Sequence, residues 1–409
     1  MNNPFLSLKD KNFRRYWQLI SLSSLGNWIH NAALPWLAYA ITDSPWMLGL
    51  VSAIQFLPVF LFSVFAGVVI DRYSKRKILL ITQIGYVIIS LLMALLLLSG
   101  QIRYSLVLVA AVIIGTLGAF AMPLKQATVS QLVEKEYLVN AVALYSISHN
   151  LCRIVGPALV GLLAARWNVG VCFALNTFVF FITLLLIFFV TLPPAPPKAA
   201  HISFYTVWLD IKEGFYYALS RRYIYEILFM MLVTGTFSIN FNVLLTVISV
   251  DILRTGALGF GSLMSVLGVG SLTGAFWIAL HSRGGPQKLF LYIAPIILAM
   301  LWLVISQGNS LVIYISLVLC GFFFISFTSS ASAALQLRTE REYLGRVISL
   351  NMLVLGGTSP IGNLYSGALA DVLGVRLGVL ICGLTGLLCF AGYWLVQNNI
   401  AKKQGRRLQ

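Results

Sequence analysis

Twelve apolar runs decide what this chain can become: residues 16–41, 48–70, 78–98, 105–124, 141–164, 170–192, 223–250, 258–280, 289–306, 311–333, 347–370 and 376–396. A helix rises 1.5 Å per residue, so about 20 apolar residues cross a hydrocarbon core of about 30 Å. Each run meets that need, the ninth only just. The runs are continuous, whereas barrel strands alternate over about ten residues, so helices are expected. Hydrophobic residues make up 59% of the 409 and charged residues 10%, against roughly 25% charge in soluble domains. The expected fold class is an all-α membrane protein with twelve transmembrane helices in two six-helix halves, and no soluble domain of normal size.

The net charge of +16 would point to nucleic acid if it formed a soluble patch, but it follows the loops instead. With the N-terminus placed in the cytoplasm, 23 of the 28 Lys and Arg residues fall inside and 4 outside (Arg103, Arg166, Arg254, Arg376). Arg153 lies within a span. Both termini are therefore expected in the cytoplasm, the start of the chain is read as an uncleaved cytoplasmic segment, and no nucleic-acid partner is expected. Cys152, Cys172, Cys320, Cys382 and Cys389 all sit in apolar runs without ligand spacing, so neither disulfides nor a metal is expected.

The longest connection, 193–222, opens on Pro193-Pro194-Ala195-Pro196-Pro197 and continues with Phe204, Trp208, Ile211, Phe215 and Leu219 at spacings of three and four. That stripe predicts an amphipathic helix in the membrane plane, joining a half at 1–192 to a half at 223–396 with a basic tail at 397–409. Repeats support the halves. Gln131-Leu132…Glu136-Tyr137-Leu138 recurs as Gln336-Leu337…Glu342-Tyr343-Leu344, and Gly161-Leu162-Leu163-Ala164 matches Gly367-Ala368-Leu369-Ala370 at an offset of 206. A further echo links Gly67-x-x-x-Asp71-x-x-Ser74-x-Arg76 to Gly367-x-x-x-Asp371-x-x-Gly374-x-Arg376.

Gly67-Val68-Val69-Ile70-Asp71-Arg72-Tyr73-Ser74-Lys75-Arg76-Lys77 resembles the signature between helices 2 and 3 of the major facilitator superfamily, with Ser74 in place of the usual second glycine. Gly156-Pro157-Ala158-Leu159-Val160-Gly161 is similar to the antiporter motif of its export branch. The stretch from Met122 to Ala165, Phe13-Arg14-Arg15-Tyr16-Trp17 and Ala33-Leu34-Pro35-Trp36 resemble the enterobactin-exporter and macrolide-efflux subgroup. The resemblance implies the major facilitator fold, a central cavity lined by spans 1, 4, 7 and 10, outward transport, and gating at Gly67, Asp71, Arg72, Arg76, Gly156, Pro157, Gly161 and Arg346. A carboxylate at Asp71 near the positive end of span 11 and near Arg346 would act as a latch favouring the outward-open state.

All twelve carboxylates fall outside the span centres. The subgroup often carries an acidic residue after the glycine of span 1, whereas here Gly26 is followed by Asn27. Proton coupling would then fall to a histidine or to Glu226. At mid-depth the expected substrate-binding residues are Asn27, His30 and Asn31 in span 1, His149, Asn150 and Arg153 in span 5, and Ser238, Asn240 and Asn242 in span 7. Polar stripes in spans face protein or a water-filled cavity. Arg153 is either a group bonded to helix carbonyls and Asn150 or an attractor of anions, and the histidines are either packing groups or proton acceptors. No Gly-Lys dipeptide and no catalytic constellation occurs, so neither an ATPase nor another enzyme is expected, and no cofactor. The expected function is secondary active export of a small anionic metabolite such as a siderophore, by a monomeric antiporter of the inner membrane with protons as coupling ion. Macrolide or multidrug efflux and lipid or lysophospholipid translocation are the alternatives.

Overall fold

The computed structural model describes residues 6–192, 204–281, 288–340 and 342–407, with side chains at all but positions 63, 64, 67, 68, 71, 135, 139, 204–211, 396 and 398–407. Six helices form the first half: α1 (Lys11–Thr42), α2 (Pro45–Arg72), α3 (Lys75–Leu98), α4 (Tyr104–Val129), α5 (Leu138–Arg166) and α6 (Val169–Leu186). A linking helix α7 (Phe204–Ser220) leads to α8 (Arg222–Phe237), α9 (Phe241–Val247), α10 (Gly256–His281), α11 (Ala294–Ile305), α12 (Ser310–Arg338), α13 (Leu344–Leu373) and α14 (Val375–Arg407). No strand occurs among the described residues.

Local chemistry sets the boundaries. Asp10 caps α1 by accepting from the Phe13 amide at 2.6 Å, and Asn168 caps α6 through Val171 at 3.2 Å. Gly374, at φ 81°, ends α13 in a backbone conformation that costs other residues more. Ten helical segments among the described residues are long and apolar enough to cross a membrane, and Leu289–Ile305 is a shorter apolar one. The twelfth is α1, 32 residues long and less apolar because Asn27, His30 and Asn31 lie along it. Large apolar side chains such as Ile81, Ile88 and Leu95 on α3 and Phe276 and Leu280 on α10 stay uncovered by protein, as a lipid-facing surface requires.

Two boundaries differ from the sequence reading. The seventh span is broken: α8 stops at Phe237, α9 begins at Phe241, and a π-helical turn at Ile248–Ile252 completes the crossing. The amphipathic helix is present as α7, with Phe215 and Leu219 exposed on it, while Pro193 to Pro197 lie outside the described residues. It rests on the start of α13, where Glu213 pairs with Arg346 at 2.9 Å and Tyr217 stacks on Tyr343 at 4.1 Å. The tail expected from 397 continues α14 as far as Arg407.

Within the first half α1 packs on α5 and α6, α2 on α4, and α3 on α6. Within the second, α10 packs on α12, α11 on α12 and α14, and α13 on α8. The halves meet where α2 crosses α13 and where α5 crosses α10. An even number of spans puts both described ends at one face of the bundle, called here the termini face, and Asp43, Asp251 and Asp371 at the far face.

Candidate functional site

A cavity of about 550 Å³ lies between the halves. Its polar wall comes from Asn27 and Asn31 on α1, Gln55 on α2, Lys125 on α4, and His149 and Arg153 on α5. The second half contributes Asn242, Ser359 and Asn363 among mostly apolar groups that include Phe241 and Phe324. No carboxylate lines it among the described residues.

Arg153 sits midway along the 29-residue α5, half-buried. Its guanidinium lies 5.7 Å from the Trp28 ring centre and 5.0 Å from that of Phe324, so one aromatic face comes from each half. Such contacts contribute about 0.5–2 kcal/mol each, more where water is excluded. No carboxylate lies within ion-pair distance of it among the described residues. No hydrogen bond joins it to Asn150, whose amide Nδ2 donates to the Ser146 carbonyl at 2.8 Å along its own helix. The ring of His149 packs 5.6 Å from Trp28 and 6.2 Å from Tyr145, leaving its edge on the cavity. Asn31 accepts from Gln55 at 2.8 Å, which fixes both amides against the wall.

The cavity therefore collects Asn27, Asn31, His149, Arg153 and Asn242 from the residues expected to bind substrate. Asn150 and three more lie elsewhere. His30 is fully buried among Tyr86, Phe173 and Phe180, with Ser90 Oγ 3.0 Å from its Nε2. Ser90 donates its one proton to the Tyr86 carbonyl at 2.7 Å, so it accepts from the imidazole. That is a packing role. Ser238 and Asn240 serve the break between α8 and α9: the Ser238 carbonyl accepts from Trp302 at 3.0 Å, and Asn240 donates to the Thr236 carbonyl at 2.7 Å. Backbone groups freed inside a membrane must find such partners. Glu226 lies at the start of α8, accepting from Arg222 at 2.8 Å and Tyr292 at 3.0 Å, away from the cavity.

Gln55, Ser359 and Asn363 line the cavity beyond the sequence reading, and so does Lys125. Lys125 looked like a loop charge after a span ending at 124, but α4 continues to Val129 and the residue is only 3% exposed. The signal was available in the uncharged stretch from Gln126 to Gln131 that follows it. Its ammonium bonds to the hydroxyl of Ser23, which also accepts from Gln83 at 3.0 Å.

At the far face the halves close through two backbone crossings. A Cβ on Gly161 of α5 would stand 2.7 Å from the Ala257 carbonyl oxygen and from the Gly261 Cα of α10, and one on Gly261 would stand 2.8 Å from the Pro157 oxygen. A Cβ on Gly367 of α13 would stand 2.6 Å from the Pro45 oxygen, and one on Gly49 of α2 would stand 2.6 Å from the Asn363 oxygen. Pro157 and Gly161 thus match Asn363 and Gly367, the offset of 206 found in the sequence. Gly156 brings α5 against Trp28 of α1 in the same way, at 2.7 Å. Tyr39 also donates to Asp251 at 2.9 Å across the halves. The cavity lies on the termini side of this closure.

At the termini face Arg76 stands 5.7 Å over the Phe188 ring, Arg72 is half-buried, and Arg346 is engaged by Glu213. Position 67 and the Asp71 side chain lie outside what the structure describes at side-chain level.

A family model described as transmembrane secretion effector, within the major facilitator superfamily, matches residues 2–404. The chain belongs to this family. It is 24% identical over 384 residues to the staphyloferrin A transporter of Staphylococcus aureus, covering 93% of this chain and 94% of that one. It is 25% identical over 372 residues to macrolide efflux protein A of Streptococcus pyogenes, covering 88% and 89%. The enterobactin exporter of Shigella flexneri is 28% identical over 199 residues, 46% of this chain and 45% of that one. The nucleoside transporter NupG superposes with a TM-score of 0.75 at 15% identity, over 93% of this chain and 98% of its own. The fold is that of a major facilitator, and this family member is a multi-pass membrane transporter rather than an enzyme.

Proposed function

We propose that this transporter exports a small anionic metabolite of the siderophore class across the inner membrane by alternating access, with both termini in the cytoplasm. The observation that carries the reading is Arg153, held between two aromatic faces at mid-depth in a cavity that no described carboxylate lines. A cation at membrane depth without a protein counter-charge is costly, and an anionic substrate offsets that cost. With Lys125 placed inside α4, a division of 22 to 4 among the remaining loop and terminal basic residues supports the orientation. An anion also leaves an inside-negative cell down the electrical gradient, worth about 2.3 kcal/mol per charge at 100 mV. Proton antiport would fall to His149 on the cavity wall or to Glu226 outside it. The carrier works as a monomer, since one chain encloses the whole cavity.

A second reading, efflux of macrolide-like drugs, is favoured by the aromatic lining at Trp28, Phe56, Phe241 and Phe324. Spent iron-limited medium from deletion and wild-type cells separates the two. The deletion strain is expected to release several-fold less iron chelator. Unchanged extracellular chelator together with new macrolide sensitivity would sink the siderophore reading.

A further inference from the structure

Lys125 does not do what a lysine near a membrane surface ordinarily does. Its Cα lies one turn, about 6 Å, from the end of α4 at Val129, close enough for the side chain to reach headgroups. It turns inward instead. The ammonium rests on Ser23, twelve residues or about 18 Å inside the start of α1 at Lys11. Neighbours hold it there: Tyr16 donates to the Lys125 carbonyl at 2.8 Å, and Gln83 shares the Ser23 hydroxyl. An ammonium has three donors, and Ser23 takes one. The other two have no acceptor among the described residues, and Lys125 lines the same cavity as Arg153.

We propose that Lys125 is a second anion anchor, so that the substrate carries at least two anionic groups, one meeting Arg153 and the other Lys125. The proposal rests on the anionic reading of the cavity. A monoanion leaves one of the two cations without a counter-charge at membrane depth, whereas a polycarboxylate satisfies both.

Citrate and its dimethyl ester, which keeps one free carboxylate, serve as probes in calorimetric titrations of the purified full-length transporter. Wild type is expected to bind citrate at least tenfold more tightly than the ester. Lys125→Met should bring the two within about twofold, Lys125→Arg should restore the preference, and Arg153→Gln should weaken both probes. A citrate preference that survives Lys125→Met overturns the second anchor while leaving the anionic reading intact. Loss of the preference in Lys125→Met without its return in Lys125→Arg also overturns it, since charge would then not be the cause. If wild type binds neither probe, or Arg153→Gln binds both as wild type does, the anionic reading falls and the second anchor with it.

An independent observation concerns Asp371. Its Oδ1 accepts from Ser44 Oγ at 2.8 Å and from the Trp46 amide at 3.3 Å. A carboxylate at the end of α13 thereby caps the positive N-terminus of α2 in the other half. One turn earlier, Gly367 makes the crossing that admits it. Gly367-x-x-x-Asp371-x-x-Gly374-x-Arg376 echoes Gly67-x-x-x-Asp71-x-x-Ser74-x-Arg76, which ends α2 at the opposite face. The sequence 281–288, the counterpart of 71–77 in the second half by parallel repetition, contains no carboxylate.

The structure assigns to Asp371 the part of a far-face latch, inverted relative to the motif at Asp71, that holds the far face closed. With Ser359→Cys as a cavity reporter in sealed vesicles and an impermeant maleimide added at the far face, Asp371→Asn should raise the labelling rate at least threefold. Asp371→Glu should restore the slow rate, and Ser44→Ala should act in the same direction as Asp371→Asn. An unchanged or slower rate in both Asp371→Asn and Ser44→Ala overturns the latch.

Discussion

Arg153→Gln is expected to lower transport of an anionic substrate into inverted vesicles by at least tenfold, while the variant inserts and folds as wild type does. Glutamine keeps a polar head on a shorter stem and removes the fixed charge. A hydrogen bond to a charged group contributes about 1.5–3 kcal/mol, and each 1.4 kcal/mol is a factor of ten in binding. Removal of the charge should not unfold the protein. The guanidinium has no ion-pair partner among the described residues, and its contacts to Trp28 and Phe324 are ring contacts that an amide partly replaces. Arg153→Lys should fall between the two, because an ammonium keeps the charge but cannot lie flat between two rings. A neutral substrate should be carried equally by all three. Full transport of an anionic substrate by Arg153→Gln would refute the role given to this residue.

The fold was legible because a bilayer asks so little of a sequence: length and continuous apolarity. Even α1, whose Asn27, His30 and Asn31 make it polar, stood out by its length. The site was legible only in part, and the failures share a cause. A stripe at spacings of three and four shows that polar residues share a helix face, but not whether that face meets water or another helix. His30 follows Asn27 by three residues, yet its turn of α1 faces α3 and α6, where Ser90 and three aromatic rings enclose it. Ser238 and Asn242 are four apart and would share a face on an unbroken helix. The break at 238–240 separates them, so Asn242 reaches the cavity and Ser238 does not. Lys125 failed differently. A lysine near a span end is ordinarily assigned to the surface, and only the path of its side chain to Ser23 shows otherwise. The glycine match at 161 and 367 pointed to a repeat, but its purpose emerges from Gly261 and Gly49 across the interface.

That purpose leads to the second large effect. Gly161→Ala and Gly367→Ala are each expected to slow transport about tenfold, and the double variant roughly a hundredfold. In this far-face-closed structure each added Cβ would sit 2.7 Å or 2.6 Å from a backbone oxygen of the facing half, well inside van der Waals contact. The obstacle is backbone, which cannot rotate aside as a side chain can. Overpacking of this kind costs about 1–3 kcal/mol. When the far face opens, the crossing helices part and the methyl group meets nothing, so the cost falls on one state alone. A difference of 1.4 kcal/mol between two states shifts their ratio about tenfold, and a carrier that seldom closes its far face seldom returns to load. The two crossings share no residue, so their effects should add as free energies. Gly345→Ala on α13 is the control, because a Cβ there meets nothing within 4 Å. Far-face labelling of a cavity cysteine should rise as transport falls. Reduced transport with labelling unchanged would mean that the methyl groups damage the helices themselves, and the closure role of the glycine pairs would be wrong.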